Sequence, residues 1–370
     1  MMRNALRLIC TAVVLGVAAG RAVAQAPAAA EKKAKTPRAP KDSTVVDTTP
    51  RKLFRDKDAV LKVTITTDLK QFVRMRDRGR PPIPATLAWS LPDDSGTAKI
   101  QVGTRGNFRL KGRNCSFPPV RLIINKDSVK KTVWAGQKRL KLVTRCDEGR
   151  EYEQYILQEY ALYEIYNQLT PRSFRARLVR VAYRDTQGKE KPIDTYAFVV
   201  EDDGDLAERM GGKITDAKNA TFDDVDVQTM GVMGFFEYLI GNTDWSLGAL
   251  HNVKLVMTPR DANVYAIAYD FDFSGAVNTR YATPDPQLRI KRVLDRLYRG
   301  RCLTTDEVAL VVQRFNERKT AIYAVYDKIP DLEPAVVKRT REYFDEFYQT
   351  INDPRALKRN ILDDCQPVGN

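Results

Sequence analysis

The chain has 370 residues, including 16 Tyr and 14 Phe, and this is enough for one large domain or for two lobes that share a cleft. Its formal net charge is +14, with basic and acidic residues interspersed along the chain. That charge fits either attraction to an anionic partner, such as a nucleotide, a phosphate or a cell-envelope polymer, or an ordinary solvated surface. No helix-turn-helix, zinc-finger or aromatic RNA-binding motif occurs, so we expect no nucleic-acid partner.

Residues 1–24 have the pattern of a cleaved signal peptide. Arg3 and Arg7 precede an apolar run that ends at Val17, and Ala22-Val23-Ala24 supplies the small residues that a signal peptidase accepts. The apolar run is shorter than the roughly 20 residues that cross a bilayer, so no transmembrane anchor is expected. The sequence therefore predicts an exported protein, periplasmic or secreted.

Residues 25–52 are rich in Ala, Pro, Lys and Thr and predict a flexible tether. Four cysteines follow it, and in an oxidising compartment an even number indicates two disulfides. We expect Cys115 to pair with Cys146 and Cys302 with Cys365, because each pair then falls within one predicted lobe. Buried free thiols are the alternative.

The pattern of apolar residues predicts strands first and helices later. Alternating β-branched runs predict strands over Ala59–Thr67, Lys99–Val102, Val120–Asn125 and Leu140–Thr144. A helix is predicted over Glu151–Leu169, followed by a hairpin of strands Leu178–Tyr183 and Tyr196–Glu201. The rest predicts helices at Met230–Ile240, Asp306–Lys328, Ala335–Ile351 and Arg355–Leu362, with short strands Lys254–Met257 and Tyr265–Ala268. Thr304 and Glu307 form a capping-box pattern.

Polar side chains bracket the two short strands of the second half. Asp244 and Asn252 precede the first strand, and Asp270 and Asp272 follow the second. Carboxylate and amide oxygens at strand ends can bind a hard cation such as Mg²⁺. Phosphoryl transfer requires such a cation, a carboxylate that orients the attacking hydroxyl, and a lysine on the phosphates.

This arrangement resembles that of atypical protein kinases, and specifically of the spore-coat protein H group of secreted kinases. The resemblance lies in Gly241-Asn242-Thr243-Asp244, then Asn252, then a strand ending in Asp270-Phe271-Asp272. It implies that Asp244 acts at the substrate hydroxyl, that Asn252 and Asp270 hold the metal, and that Asp272 is a second acidic contact. Asp244 and Asn252 are eight residues apart, so the loop between them must bulge or Asn252 serves another purpose.

Upstream residues extend the resemblance to the nucleotide side. Arg105-Gly106-Asn107 resembles a turn that lies near the nucleotide in the spore-coat group, although a plain tight turn explains it equally well. Lys141 is the candidate for the phosphate contact, with Glu159 as its ion-pair partner, since a carboxylate on an apolar helix face needs a cation. Lys111 is a rival for the phosphate contact, and Arg121 could replace Lys141 as the cation.

Two further residues, Glu201 and His251, are candidates for a place in the site. Glu201 ends a strand at the position expected for the linker between lobes. His251 is the single histidine of the chain, which excludes multi-histidine metal sites; it is either a helper beside Asn252 or a structural residue.

The resemblance implies an α+β, two-lobed protein-kinase-like fold, with a β-rich N-terminal lobe over residues 53–200 and a mainly helical C-terminal lobe over 201–366. The expected cofactors are ATP and Mg²⁺ or Mn²⁺, and the expected reaction is phosphoryl transfer to a hydroxyl, on a protein. The alternative is a non-catalytic cell-envelope protein that binds a cation, a nucleotide or an anionic partner. Asp244, Asn252 and Asp270 are then only caps and turn residues.

Overall fold

The computed structural model describes residues 50–55, 57, 59–77 and 79–367, so the predicted signal peptide and the predicted tether up to residue 49 lie outside the described residues. The strands are β1 Leu61–Thr67, β2 Ile83–Ser90, β3 Ser95–Thr104, β4 Val120–Ile124, β5 Arg139–Thr144, β6 Ala176–Asp185, β7 Ile193–Val200, β8 Lys213–Thr215, β9 Val253–Thr258 and β10 Asn263–Ala268. The helices are α1 Leu69–Val73, α2 Arg150–Leu169, α3 Asp203–Arg209, α4 Val227–Ile240, α5 Thr305–Asp327, α6 Pro334–Asn352 and α7 Pro354–Leu357. A π-helical turn, Lys358–Leu362, follows α7.

The first seven strands form a closed barrel in the order β1-β2-β3-β4-β5-β7-β6. Neighbouring strands are antiparallel except β1 and β6, which pair in parallel with Leu61 opposite Val179 and Thr67 opposite Asp185. In β1 every second side chain is buried, because alternate residues of a strand point to opposite faces of the sheet. Closure between β1 and β6 leaves no unpaired edge in this sheet.

Strand β7 separates two hydrophobic cores and contributes side chains to both. Its side chains Ala197 and Val199 belong to the core inside the barrel. The alternating residues Phe198 and Val200 point the other way and join a second core with helices α2 and α4. A strand buried on both faces reads as a continuous apolar run, which explains the sequence YAFVV here.

The second core contains helices α2, α4, α5 and α6 and the three-stranded sheet of β8, β9 and β10. Helix α4 is buried on almost every side, in keeping with its uniformly apolar sequence. Thr304 caps α5 and Glu307 completes the predicted capping box. Among the described residues, no helix has both the length and the apolar character needed to cross a membrane.

The predicted two-lobed protein-kinase-like fold is wrong. The described residues form a closed seven-stranded barrel, a three-stranded sheet and seven helices. The hairpin of β6 and β7 was expected, but its role was not, because β6 returns to pair with β1 and closes the sheet. Both predicted disulfide pairs, Cys115–Cys146 and Cys302–Cys365, are confirmed.

Candidate functional site

The loop that carries Asp244 begins with a sharp turn at the end of helix α4. Gly241 adopts a left-handed conformation (φ 63°), and a Cβ atom at this position would collide with the Tyr343 hydroxyl. Only glycine meets both conditions without strain. The backbone N–H of Asn242 then donates to the Glu237 carbonyl (2.8 Å), and the Asn242 side-chain oxygen accepts from the Asp244 N–H (3.1 Å).

Asp244, His251 and Asn252 lie together although the chain makes a long loop between them. The His251 Nε2 atom is 2.9 Å from the Asp244 Oδ1 atom. The Asn252 side-chain amide donates to the Asp244 carbonyl (2.7 Å) and to its Oδ2 atom (3.1 Å). Paired backbone hydrogen bonds of 3.0 Å between Ser246 and His251 close the loop. The eight-residue spacing is therefore accommodated by a loop that folds back on itself.

Asn252 and Asp270 are held in an uncommon backbone conformation. Their φ angles are 52° and 69°, in the left-handed region that non-glycine residues rarely adopt. The Tyr269 N–H donates to the Asn252 carbonyl (3.0 Å), and the Asp270 N–H donates to the Tyr163 hydroxyl on α2 (2.9 Å). Such strain persists where the surroundings enforce it, and it is concentrated at functional sites.

The carboxyl groups of Glu159, Asp270 and Asp272 interact with one another electrostatically. Burial raises the pKa of Asp272 to about 7, and the negative charge of Asp270 adds to the effect. Burial also raises the pKa of Glu159 well above its ordinary value, again with contributions from Asp272 and Asp270. The Tyr281 hydroxyl donates to Asp272 (3.0 Å), whereas Glu159 Oε1 has no hydrogen-bond partner among the described residues. Burial therefore favours the protonated form of both acids, and a nearby cation would favour the ionised form.

A loop after β3 brings Arg105 and Arg109 to these acids. Burial lowers the pKa of Arg105, and the nearby Asp270 opposes that change. The Arg109 guanidinium hydrogen-bonds the Thr144 carbonyl and faces Asp272 and Glu159 electrostatically.

The same loop is fixed at both of its ends. Gly106 supplies a left-handed turn (φ 81°), and Asn107 is exposed. The Phe108 ring packs against Phe273 at 5.3 Å between centroids, and the disulfide of Cys115 holds the far end.

Lys141 does not form the predicted ion pair with Glu159. Its Nζ atom is 2.8 Å from Asp203 Oδ1, because β5 pairs with β7 so that Lys141 lies opposite Val200, and helix α3 starts just beyond. Glu159 instead faces the two arginines of the neighbouring loop. Burial lowers the pKa of Lys141, and Asp203 partly offsets this.

Lys254 is a site residue that sequence reasoning missed. Its Nζ atom is 3.2 Å from Asp203 Oδ2, so Asp203 lies between two lysines. The Lys141 Nζ atom lies 4.8 Å from the centroid of the Tyr269 ring and the Lys254 Nζ atom 5.9 Å from it. The signal was available in the sequence, since Lys254 is the one charged residue of strand β9.

The remaining predicted residues lie in different surroundings. Glu201 is buried and accepts two hydrogen bonds from the Arg209 guanidinium (2.8 and 3.0 Å), so its carboxylate is committed to a structural ion pair. Arg121 lies opposite Lys141 on the neighbouring strand, and Lys111 is exposed in the loop after β3.

One cavity is lined by Asp244, and a second, larger cavity shares residues with the first. The smaller has a volume of about 370 Å³ and is lined by Asp244, His251 and Arg299 among others. The larger, about 730 Å³, shares Trp245, Ser246 and Arg299 with it. The exposed side of the Asp244 carboxylate therefore opens onto space that a substrate group can enter.

A metal at this site would use few protein ligands. Among the described residues, no group of three or more His, Cys, Asp or Glu side chains is placed to hold a metal ion. The candidate oxygen donors are the Asn252 amide and the Asp270 carboxylate, on backbone segments that the hydrogen bond from Tyr269 N–H to the Asn252 carbonyl joins. Mg²⁺ often takes one or two carboxylates and completes its shell with phosphate oxygens and water. The donor set fits that mode of binding.

Comparison with protein-family models gives no match, and comparison with curated proteins gives no significant match.

Proposed function

We propose that this chain is an exported phosphotransferase that moves the terminal phosphoryl group of ATP to a hydroxyl on a protein, with Mg²⁺ or Mn²⁺. The observation that carries the proposal is the contact of the Asn252 amide with Asp244, which lines the 370 Å³ cavity, together with the hydrogen bond from Tyr269 N–H to the Asn252 carbonyl, which brings Asp270 close to the pair in the chain. The local arrangement of these residues supports the proposed function, and the fold does not enter the argument. We propose the similarity to the spore-coat protein H group for this local motif only.

Asp244 accepts the proton of the acceptor hydroxyl. Its carboxylate is exposed by 38% and is oriented by the Asn252 amide and by His251. The hydrogen bond to Asp244 raises the pKa of His251, so a protonated imidazole can hold the carboxylate in place. A positioned base of this kind commonly contributes a factor of about 10² to 10⁴ to a rate.

Asn252 and Asp270 would hold the metal ion. When bound, the ion neutralises charge on the phosphates and orients them for in-line transfer. The left-handed conformation of both residues presents their side-chain oxygens from adjacent backbone segments, joined by the hydrogen bond from Tyr269 N–H to Asn252 O. Burial is the main cause of the raised pKa of Asp272 and of Glu159, and the negative charge of Asp270 adds to both shifts. A bound cation would favour the ionised form of these carboxyl groups.

Lys141, Lys254 and Arg105 supply positive charge on the nucleotide side. The two lysines share one carboxylate, that of Asp203. The group of two lysines and one aspartate therefore keeps a net positive charge that can attract phosphate oxygens. Arg105 faces Asp270 electrostatically, which places a further cation beside the proposed metal ligands.

Export of the protein is supported by its cysteines. Both disulfides link described residues, and disulfides persist in oxidising compartments. ATP is scarce in such compartments. The transfer assay described below therefore uses other nucleoside triphosphates and pyrophosphate as phosphoryl donors beside ATP.

A non-catalytic binding protein of the cell envelope is the second candidate. It is favoured by one observation, the lack of a three-residue metal-ligating cluster in the described part of the chain. Such a protein would bind a cation, a nucleotide or an anionic partner at the same residues without turnover.

The deciding experiment is a thermal shift of the mature chain with ATP, with Mg²⁺ or Mn²⁺, and with both. A ligand that binds only the folded state raises the melting temperature, and 100-fold excess over Kd corresponds to about 2.7 kcal/mol. We expect a shift that requires both nucleotide and metal and that disappears in Asp270→Asn. The exposed Asp216→Asn is the matched control and should keep the shift.

Transfer is then measured with labelled donor. Asp244→Asn should keep the metal-dependent shift and lose transfer to protein acceptors by at least 10²-fold. Full transfer by Asp244→Asn would contradict the assigned base. A metal-dependent shift without transfer by the wild type would favour the non-catalytic candidate.

A further inference from the structure

Arg299 lies at the junction of the two cavities next to Asp244 and lines both of them. Its Nη1 atom donates to the backbone carbonyls of Thr243 and Trp245, the latter at 2.9 Å. These two carbonyls flank Asp244, so the guanidinium is fixed against the loop that carries the proposed base. The place of Arg299 is therefore set by the backbone, and not by a carboxylate.

The other edge of the guanidinium forms no hydrogen bond and no salt bridge among the described residues, although Asp285 and Asp244 act on it electrostatically and the Trp245 ring centroid lies 5.8 Å from its carbon atom. Among the described residues, Nε and Nη2 of Arg299 donate no hydrogen bond, and no carboxylate lies within salt-bridge distance. Other arginines of the same segment are paired with acids: Arg289 with Asp364, Arg292 with Asp295 and Arg296 with Glu346. Arg299 thus has an Nε–Nη2 edge without a hydrogen-bond partner, on a residue that lines both cavities.

The Nε–Nη2 edge is the part of arginine that binds a carboxylate through two parallel hydrogen bonds. The two cavities are lined by four aspartates, Asp244, Asp285, Asp363 and Asp364, and by three basic residues, His251, Arg289 and Arg299. His251 is paired with Asp244 and Arg289 with Asp364, so Arg299 is the basic lining residue without a salt-bridge partner among the described residues. The cavities also offer neutral hydrogen-bonding groups, including Asn219, Thr221, Ser246 and Gln287. Volumes of about 730 and 370 Å³ lie in the range of ligand-binding clefts.

We propose that Arg299 forms an anion subsite that selects acceptor proteins with an aspartate or glutamate within two residues of the hydroxyl presented to Asp244. The hydroxyl position rests on the proposed function, whereas binding of the carboxylate does not. In an extended segment, residues two apart point to the same side. One side chain can then reach Asp244 while the next on that side reaches Arg299.

The test is binding of fluorescent peptides to the mature chain without nucleotide, measured by anisotropy. Each peptide has one serine, and the residue two positions away is Asp, Asn, Lys or phosphoserine. We expect the Asp peptide to bind roughly tenfold more tightly than the Asn peptide, the size of one good charge-assisted contact. Arg299→Lys, which keeps the charge and can still donate to the carbonyls, should reduce this preference to less than about twofold.

Arg292→Gln is the matched control, because Arg292 is exposed and lines neither cavity; it should keep the preference. Equal binding of the Asp and Asn peptides by the wild type would overturn the subsite, as would an unchanged preference in Arg299→Lys. Tight binding of the phosphoserine peptide alone would also overturn it, in favour of a phosphate site. An Asp preference that depends on Arg299 supports the subsite even if nucleotide gives no thermal shift and the proposed phosphotransferase function fails. Phosphoryl transfer without an Asp preference refutes the subsite and leaves the proposed function intact.

Discussion

Glu237 on helix α4 should make the stability of this protein depend on pH. Its side chain is 2% exposed, neither of its carboxyl oxygens has a hydrogen-bond partner among the described residues, and burial raises its pKa from 4.5 to about 8. A folded-state pKa above the unfolded value gives stability that is present at low pH and is lost as the pH rises through the folded pKa. Each pH unit between those two values removes about 1.4 kcal/mol.

Between pH 5 and pH 7 the loss from Glu237 amounts to about 2.5 kcal/mol of unfolding free energy. Glu237→Gln has the same shape and no proton to lose, so its stability relative to the wild type should improve by that amount over the interval. The measurement is urea unfolding with disulfides intact at both pH values. Glu190→Gln, in an exposed turn, is the control and should shift by less than about 0.5 kcal/mol. Parallel pH curves for wild type and Glu237→Gln would refute the argument.

Three further outcomes follow from the site and its supports. Gly241→Ala should lower the unfolding free energy by about 2 kcal/mol or more in denaturant titrations, because its left-handed turn (φ 63°) abuts Tyr343; an unchanged midpoint would contradict this. Replacing Cys115 and Cys146 by Ser removes a cross-link over 31 residues and should reduce that free energy by about 4 kcal/mol, whereas wild-type stability in the double variant would count against the bond. Lys254→Met should weaken the metal-dependent nucleotide shift, while Lys213→Met on neighbouring β8 should not; equal shifts would remove Lys254 from the site.

Several helices and strands were predicted well from the sequence, because the patterns that determine them involve residues only a few positions apart. Alternation placed β1 and β5, helical spacing placed α2, and the capping box marked the start of α5. Strand β2 was missed, because its alternation of apolar and polar residues is interrupted by Pro84. The two disulfides were paired correctly, although the reason given, that each pair falls within one predicted lobe, came from a two-lobed fold that the structure contradicts.

Long-range pairing could not be predicted in the same way. Which strand closes the barrel depends on sheet twist and shear, and neither leaves a local pattern. The partner of Lys141 was missed for a related reason, since Asp203 reaches it only through the register between β5 and β7. Glu159 did lie on an apolar face as expected, but its cations come from a loop about 50 residues earlier, through Arg105 and Arg109.

The parallel pairing of β1 with β6 has a consequence for how the chain folds. Leu61 meets Val179, which lies 118 residues further along the chain, so β1 has one unsatisfied edge until β6 has been delivered. Contacts of such high sequence separation form late and slow the folding rate. A fragment ending before Ala176 would expose strand edges on both β1 and β5, and exposed edges recruit other chains. Interrupted synthesis or early cleavage in this region should therefore yield aggregates, and closure of the barrel is the step that protects the nascent protein from them.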